Sequence, residues 1–338
     1  MIHEFAVDPE LLVEWSKTSG SYAYFANNFG LGEPRILSQY PHEWKKLALE
    51  CWEAHAAKAT TEAELGNLET QRERFTALFF KLTEVTVKRP TSLAYTHMRT
   101  WLDNALGHAP IPLQCVLARC APVAHACVLV GDGIVEHARW KLDKTVSVPR
   151  DALGAAVAPL LTCCTEIVFV DPYFNPSRAA HVNSFRAFID ALTSRVGLER
   201  PVRIEVLTSL SGDTRPSWAF FRSGCEKFMR PLLPVGWEMK FVEVNDVGSR
   251  GEKLHNRYIL TDLGGIFFGV GLDSGAATEA DDLGVMSRTQ YDKRWDQYAG
   301  PTPEFAVVGT NEVTLKREAA KPPTLARPGQ GRARGRFP

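Results

Sequence analysis

The sequence predicts an α/β protein in which a mixed sheet flanked by helices is preceded by a mainly helical N-terminal region. Three observations carry that expectation. In the second half, short continuous apolar runs alternate with apolar stripes at helical spacing. In the first hundred residues the helical spacing dominates. The composition, 45% hydrophobic and 23% charged over 338 residues, holds enough apolar material for a sizeable core. At roughly 150 residues per domain the length suits two domains.

Residues 1–108 read as helical. Over 41–58, Trp44, Leu47, Cys51, Trp52 and His55 lie close to a 3.6-residue period. Thr61 with Glu64 has the signature of a capping box, and Phe75, Leu78, Phe79, Leu82 and Val85 form the stripe of the helix that follows. Pro90 stops that run, and 92–106 reads as a further helix. Residues 109–146 read as a β-rich connector. Val116-Leu117 and 126–130 look like strands there, and Asp132-Gly133 signals a hairpin turn before a strand over 134–142.

From Pro149 a helix is expected through Leu161, with the proline in its first turn. Ile167 to Val170 is the continuous apolar run of a strand buried on both faces. Asn175-Pro176 reads as an N-cap and first-turn proline opening a helix that carries Val182, Phe185, Phe188, Ile189 and Leu192 on one face. A strand over 202–207, a helix over 216–229 and a strand over 237–244 follow. The helix shows Trp218, Phe221, Cys225 and Phe228 as its apolar stripe. In such a β-α-β-α-β run, functional groups gather beyond the carboxyl ends of the strands, where Asp171, Ser209 and Asn245 fall.

Residues 312–338 read as a basic disordered tail: from Lys316 onward there are seven Lys or Arg and one Glu. Such a segment either solubilises the chain or tethers nucleic acid without sequence preference. The chain as a whole balances 39 Lys and Arg against 39 Asp and Glu, so any preference for polyanions is local. No apolar run reaches the roughly 18 residues of a membrane span, and the acidic start lacks a signal-peptide pattern, so a cytoplasmic location is expected. The seven cysteines contain no CxxC pair, which points to buried thiols in a reducing compartment. No cluster at metal-ligand spacing, no Walker sequence and no GxSxG elbow occurs, and neither metal nor cofactor is expected.

Residues 253–274, KLHNRYILTDLGGIFFGVGLDS, hold the chemistry. On a strand His255 and Arg257 project from one face about 6–7 Å apart, where a guanidinium holds phosphate oxygens while the imidazole approaches phosphorus. Lys253, two residues earlier on the same face, offers a second phosphate contact. Asp262 has the opposite parity and sits at a hairpin turn, where it is expected to fix the hairpin. Gly269 and Gly271 allow close approach of the backbone to a ligand or to the histidine strand. Asp273 is a candidate for orienting the imidazole through its far nitrogen, against the alternative of a solvated acidic loop.

His255, Arg257, Asp262 and Gly269 stand in the order HxRxxxxD(x)6G, which resembles the HxKxxxxD(x)6G motif of the phospholipase D-like superfamily. IVFVDPYF, residues 167–174, is similar to the first buried strand of that fold. HNRY together with GVGLD resembles the branch related to the C-terminal phospholipase D-like domain of MIT-domain proteins. The likeness spans residues 147–300 and makes 147–311 the expected phospholipase D-like domain. It implies metal-independent phosphodiester transfer with His255, Arg257 and Asp262 as the catalytic motif. His255 would form a phosphohistidine, and a second histidine would protonate the leaving oxygen.

A second copy of the motif is missing, because His97 and Asp103, like His137 and Asp143, are spaced six apart instead of seven. A catalytic form is therefore expected to be a homodimer with two His255 residues across a two-fold axis. Arg257 departs from the family's lysine, and the two are not interchangeable. The MIT-associated branch, with a similar substitution, is regarded as a module for anionic lipid headgroups. The expected function is a nuclease, in the setting of bacterial antiviral defence against foreign DNA. The alternatives are a phosphate-binding module without turnover, for nucleic acid or anionic lipid headgroups, and a purely structural domain. Residues 1–108 leave room for docking a motor or sensor protein.

Overall fold

The computed structural model describes residues 1–89, 94–107, 111–212 and 215–319. Two sheets organise them. The first contains β1 (His3–Val7), β2 (Arg35–Gln39), β3 (Thr86–Lys88), β4 (Cys115–Ala118) and β5 (Val128–Val130) in the order β3-β2-β1-β4-β5, every pair parallel. Around it pack α1 (Pro9–Lys17), α2 (Ser19–Ala26), α3 (Trp44–Ala56), α4 (Glu62–Glu84) and α5 (Trp101–Leu106). The expected helical region and β-rich connector are thus one α/β unit. β4 and β5 fall where Val116-Leu117 and 126–130 read as strands, whereas β2 carries Arg35, Ser38 and Gln39 and β3 has only three residues, so no apolar run betrays those two.

Other expectations for this unit are corrected. The turn over Gly131–Ile134 is 3₁₀ instead of a hairpin, and the strand expected over 134–142 does not form. Trp140 from that stretch is buried instead against Phe5, Phe25 and Phe29. The helix read over 92–106 is confined to Trp101–Leu106, with Ser92 and Leu93 outside the described residues. The capping box at Thr61 and Glu64 forms as the sequence predicts.

The second sheet contains β6 (Thr145–Pro149), β7 (Glu166–Val170), β8 (Arg203–Thr208), β9 (Glu238–Val244), β10 (Arg257–Thr261), β11 (Gly264–Phe268), β12 (Ala280–Val285) and β13 (Val307–Lys316). Their order is β13-β9-β8-β7-β10-β11-β12-β6. β7, β8 and β9 are parallel, and every other pairing is antiparallel, so the sheet is mixed. Alternate side chains of β7 face opposite layers. Ile167 and Phe169 meet α6 (Leu153–Cys163), α7 (Ala179–Thr193) and α8 (Trp218–Gly224), whereas Val168 and Val170 join Tyr291 and Tyr298 of α9 (Arg288–Tyr298).

Three boundaries move. Pro149 ends β6 instead of opening a helix, so a domain edge at 147 cuts through a strand. Asn175 makes a turn, its Oδ1 accepting from Ser177 N at 2.9 Å, and α7 starts only at Ala179. Residues 312–316 lie in β13 beside β9, so the segment expected as tail is ordered to Lys316; the expected tail over 320–338 lies outside the described residues.

The two sheets meet along a common core in which Ile2, Ile36, Val85 and Val87 pack with Leu153, Leu160, Ile167 and Leu263. Buried there, Glu4 takes a bidentate grip from Arg89, whose Nη1 also donates to the Val196 carbonyl at 2.6 Å. Among the described residues no helix is long and apolar enough to cross a membrane.

Candidate functional site

β10 runs antiparallel to β7 with Tyr258 opposite Val170. The segment leading into β10 therefore arrives beside the loop that leaves β7, at the carboxyl ends of the parallel strands. His255 lies in that segment, and β10 begins only at Arg257. The expectation that both residues stand on one strand is corrected, yet they converge on a single side chain, Tyr173. Its hydroxyl is 3.2 Å from His255 Nδ1, with the rings edge to face. The Arg257 guanidinium lies 4.6 Å from the Tyr173 ring centroid, and the Arg215 guanidinium lies at the same 4.6 Å. Each guanidinium is favoured by the quadrupole of the phenol ring.

Neither arginine has a carboxylate partner among the described residues, and Arg257 Nε is buried with no hydrogen-bond acceptor. A buried donor left unpaired costs about 1–3 kcal/mol. His255 is exposed, with its Nε2 unengaged. Lys253 is exposed two residues upstream, in an isolated bridge with Val247.

The loops holding these groups are tied together underneath. Ser209 donates its N–H to the Pro172 carbonyl at 3.4 Å and its hydroxyl to the Asp246 carboxylate. The Asp246 backbone carbonyl in turn accepts from Leu254 N at 2.7 Å, immediately before His255. Asp171 is buried, accepts from Tyr173 N at 2.9 Å, and pairs at 3.6 Å with the buried His181. It supports the tyrosine loop from below.

Asp262 lies at the opposite end of β10 from His255. Its carboxylate accepts from Thr165 N at 2.8 Å, Thr165 Oγ1 at 2.7 Å and Glu166 N at 3.1 Å, pinning the hairpin to the start of β7. The place assigned to it in a catalytic motif is corrected to a structural one, as its strand parity predicts. Asp273 is corrected too: Arg150 holds its Oδ1 at 2.6 Å, and the imidazole takes Tyr173 as its partner. Gly269 and Gly271 serve carboxylates instead of a ligand or the histidine strand. The buried Asp281 accepts from Val270 N at 2.8 Å and Gly271 N at 3.3 Å. A Cβ at Gly269 would stand 3.0 Å from Asp281 Oδ1, and one at Gly271 would stand 2.6 Å from Asp273 Oδ1.

Tyr173 and Arg215 escape the sequence reading. Tyr173 carried a usable signal, since it follows Asp171 by two residues at a strand end. Arg215 carried none, because it stands in a loop whose path only the fold decides. All seven cysteines are free. Burial pushes Cys51 up to about 11 and Cys115 up to about 12, so neither is a thiolate near neutrality. Among the described residues no three His, Cys, Asp or Glu side chains gather to hold a metal ion. What fold and site define together is an α/β protein with an exposed histidine, a phenol and two unpaired guanidinium groups at the carboxyl rim of a mixed sheet. Comparison with protein-family models and with curated proteins gives no match.

Proposed function

We propose that the protein is a phospholipase D-like, metal-independent phosphodiesterase that cleaves nucleic acid through His255. The observation that supports this most is the Tyr173–His255 hydrogen bond beside two guanidinium groups that lack acid partners. With the proton on Nδ1, the Tyr173 oxygen accepts it, and the Nε2 lone pair is free to attack. Arg257 and Arg215 hold the non-bridging oxygens of the phosphodiester. Nε2 bonds to phosphorus as the P–O bond to the leaving group breaks, and that oxygen takes a proton from a second histidine. Water then attacks the phosphohistidine, giving its proton to the second histidine as the P–N bond breaks, which returns Nε2 and releases a phosphomonoester. His255 of a second copy supplies the acid, so the working form is a homodimer. A cytoplasmic nuclease in bacterial antiviral defence is the setting this chemistry suits.

Labelled single- and double-stranded DNA and RNA, incubated in EDTA with wild type and with His255→Ala, test the reading. Cleavage confined to the wild type supports it; metal-dependent cleavage that survives the substitution sinks it. The second reading is a phosphate-binding module without turnover, and Arg257 in the lysine position of the motif favours it. Such a module would remain a monomer and bind phosphate polymers without cutting them.

A further inference from the structure

α8 exposes an aromatic residue that its sequence spacing assigns to the core. The helix runs without a break into a π turn, Cys225–Met229, and then a 3₁₀ turn, Arg230–Leu232. Phe221 and Cys225 are buried as expected, but the wider turn puts Met229 in the next core position instead of Phe228. Phe228 is left 36% exposed, with the Lys227 ammonium 4.9 Å from its ring centroid. Phe220, in the first turn, is 59% exposed. Arg222, Lys227 and Arg230 are exposed on the same stretch, and its one acid, Glu226, is paired with Arg222 at 3.2 Å. Arg215 stands at the head of this stretch, three residues before α8 and beside Tyr173.

We propose that this surface is a track for single-stranded nucleic acid leading into the His255 site, an inference that rests on the function proposed above. Bases stack on Phe220 and Phe228, and phosphates lie against Arg222, Lys227 and Arg230. Phe220 and Phe228 stand eight residues apart along this continuous helical stretch. Aromatic platforms alternating with cations match a chain that alternates flat bases with charged phosphates. A duplex keeps its base faces stacked inside and finds only the cations. Two rings set apart by charged residues, with Ser217, Ala219, Ser223 and Pro231 as further exposed neighbours, offer a bilayer little apolar area.

The test uses the full chain with His255→Ala to prevent cleavage, and reads the anisotropy of a labelled oligothymidylate. Adding Phe220→Leu with Phe228→Leu should weaken binding at least about tenfold, while Phe220→Trp with Phe228→Trp keeps it. Duplex affinity should change less than about threefold by the same stacking argument. Equal binding by the leucine and tryptophan pairs, or no binding of the oligonucleotide at all, overturns the track. So does sedimentation of the protein with phosphatidylglycerol vesicles that is lost in the leucine pair. Hydrolysis of bis(4-nitrophenyl) phosphate by wild type, a substrate too small to use the track, reports separately on the His255 site. Its absence would overturn the phosphodiesterase while leaving the binding result readable.

Discussion

Tyr173 acts through its hydroxyl on His255, through its ring on two guanidinium groups, and through its backbone N–H on the buried Asp171. Tyr173→Phe removes only the first of these. Losing a hydrogen bond to a group that becomes charged costs about 1.5–3 kcal/mol, so under the proposed phosphodiesterase mechanism kcat should fall roughly 10- to 100-fold with KM nearly unchanged. Steady-state kinetics on bis(4-nitrophenyl) phosphate would reveal it, and an unaltered kcat would remove the tyrosine from the mechanism. Asp262→Ala should do the reverse, lowering stability by about 1–3 kcal/mol in urea while the folded fraction keeps its activity. At this scale the sequence brings His255 and Arg257 together, both reaching Tyr173, although only Arg257 is on the strand. It misleads where the partner is remote. Asp273 looks free to orient a histidine until Arg150, 123 positions away, takes it.

Elements are legible in proportion to their burial. β7, β8 and β9 stand within a residue or so of their apolar runs because both faces of each are covered. β3 has three residues, too few for a period to show, whereas β5, equally short, lies inside the apolar run read over 126–130. α8 fails in another way: its stripe continues correctly until the π turn shifts the buried face by one residue. The packing of α6 on α7 depends on Gly154, where a Cβ would fall 2.4 Å from the Ala187 Cβ. Gly154→Ala should therefore cost about 1–3 kcal/mol despite alanine's better helix propensity, a sign that urea denaturation can check.

The whole molecule is held by the seam between its sheets. Glu4 and Arg89 are fully buried there, and removing one charge strands the other. Glu4→Ala should destabilise the chain by about 3–5 kcal/mol, and Glu4→Leu with Arg89→Met by much less. Because one core spans both sheets, unfolding monitored by circular dichroism and by tryptophan fluorescence should give a single coincident transition. His3, on β1, gives the molecule an acid sensitivity. Burial, then the amino terminus and Arg35, push its pKa from 6.5 down to about 4. The unfolded chain thus binds a proton that the folded one refuses, and stability is lost as pH falls from 6.5 towards about 4. His3→Gln should flatten that part of the stability profile. The fold class was legible at this scale, but the first sheet only in part: β4 and β5 show as apolar runs, while β1, β2 and β3 become recognisable only when Glu4, Ile36 and Val87 meet their partners across the seam.

The shared seam also limits how such a protein changes by recombination. A crossover near residue 147 would divide β6 and separate Arg89 from the Val196 carbonyl it binds. Either half grafted onto an unrelated scaffold would carry a raw apolar flank into its new host. The rim chemistry can drift by single substitutions, but the two sheets travel as one cassette.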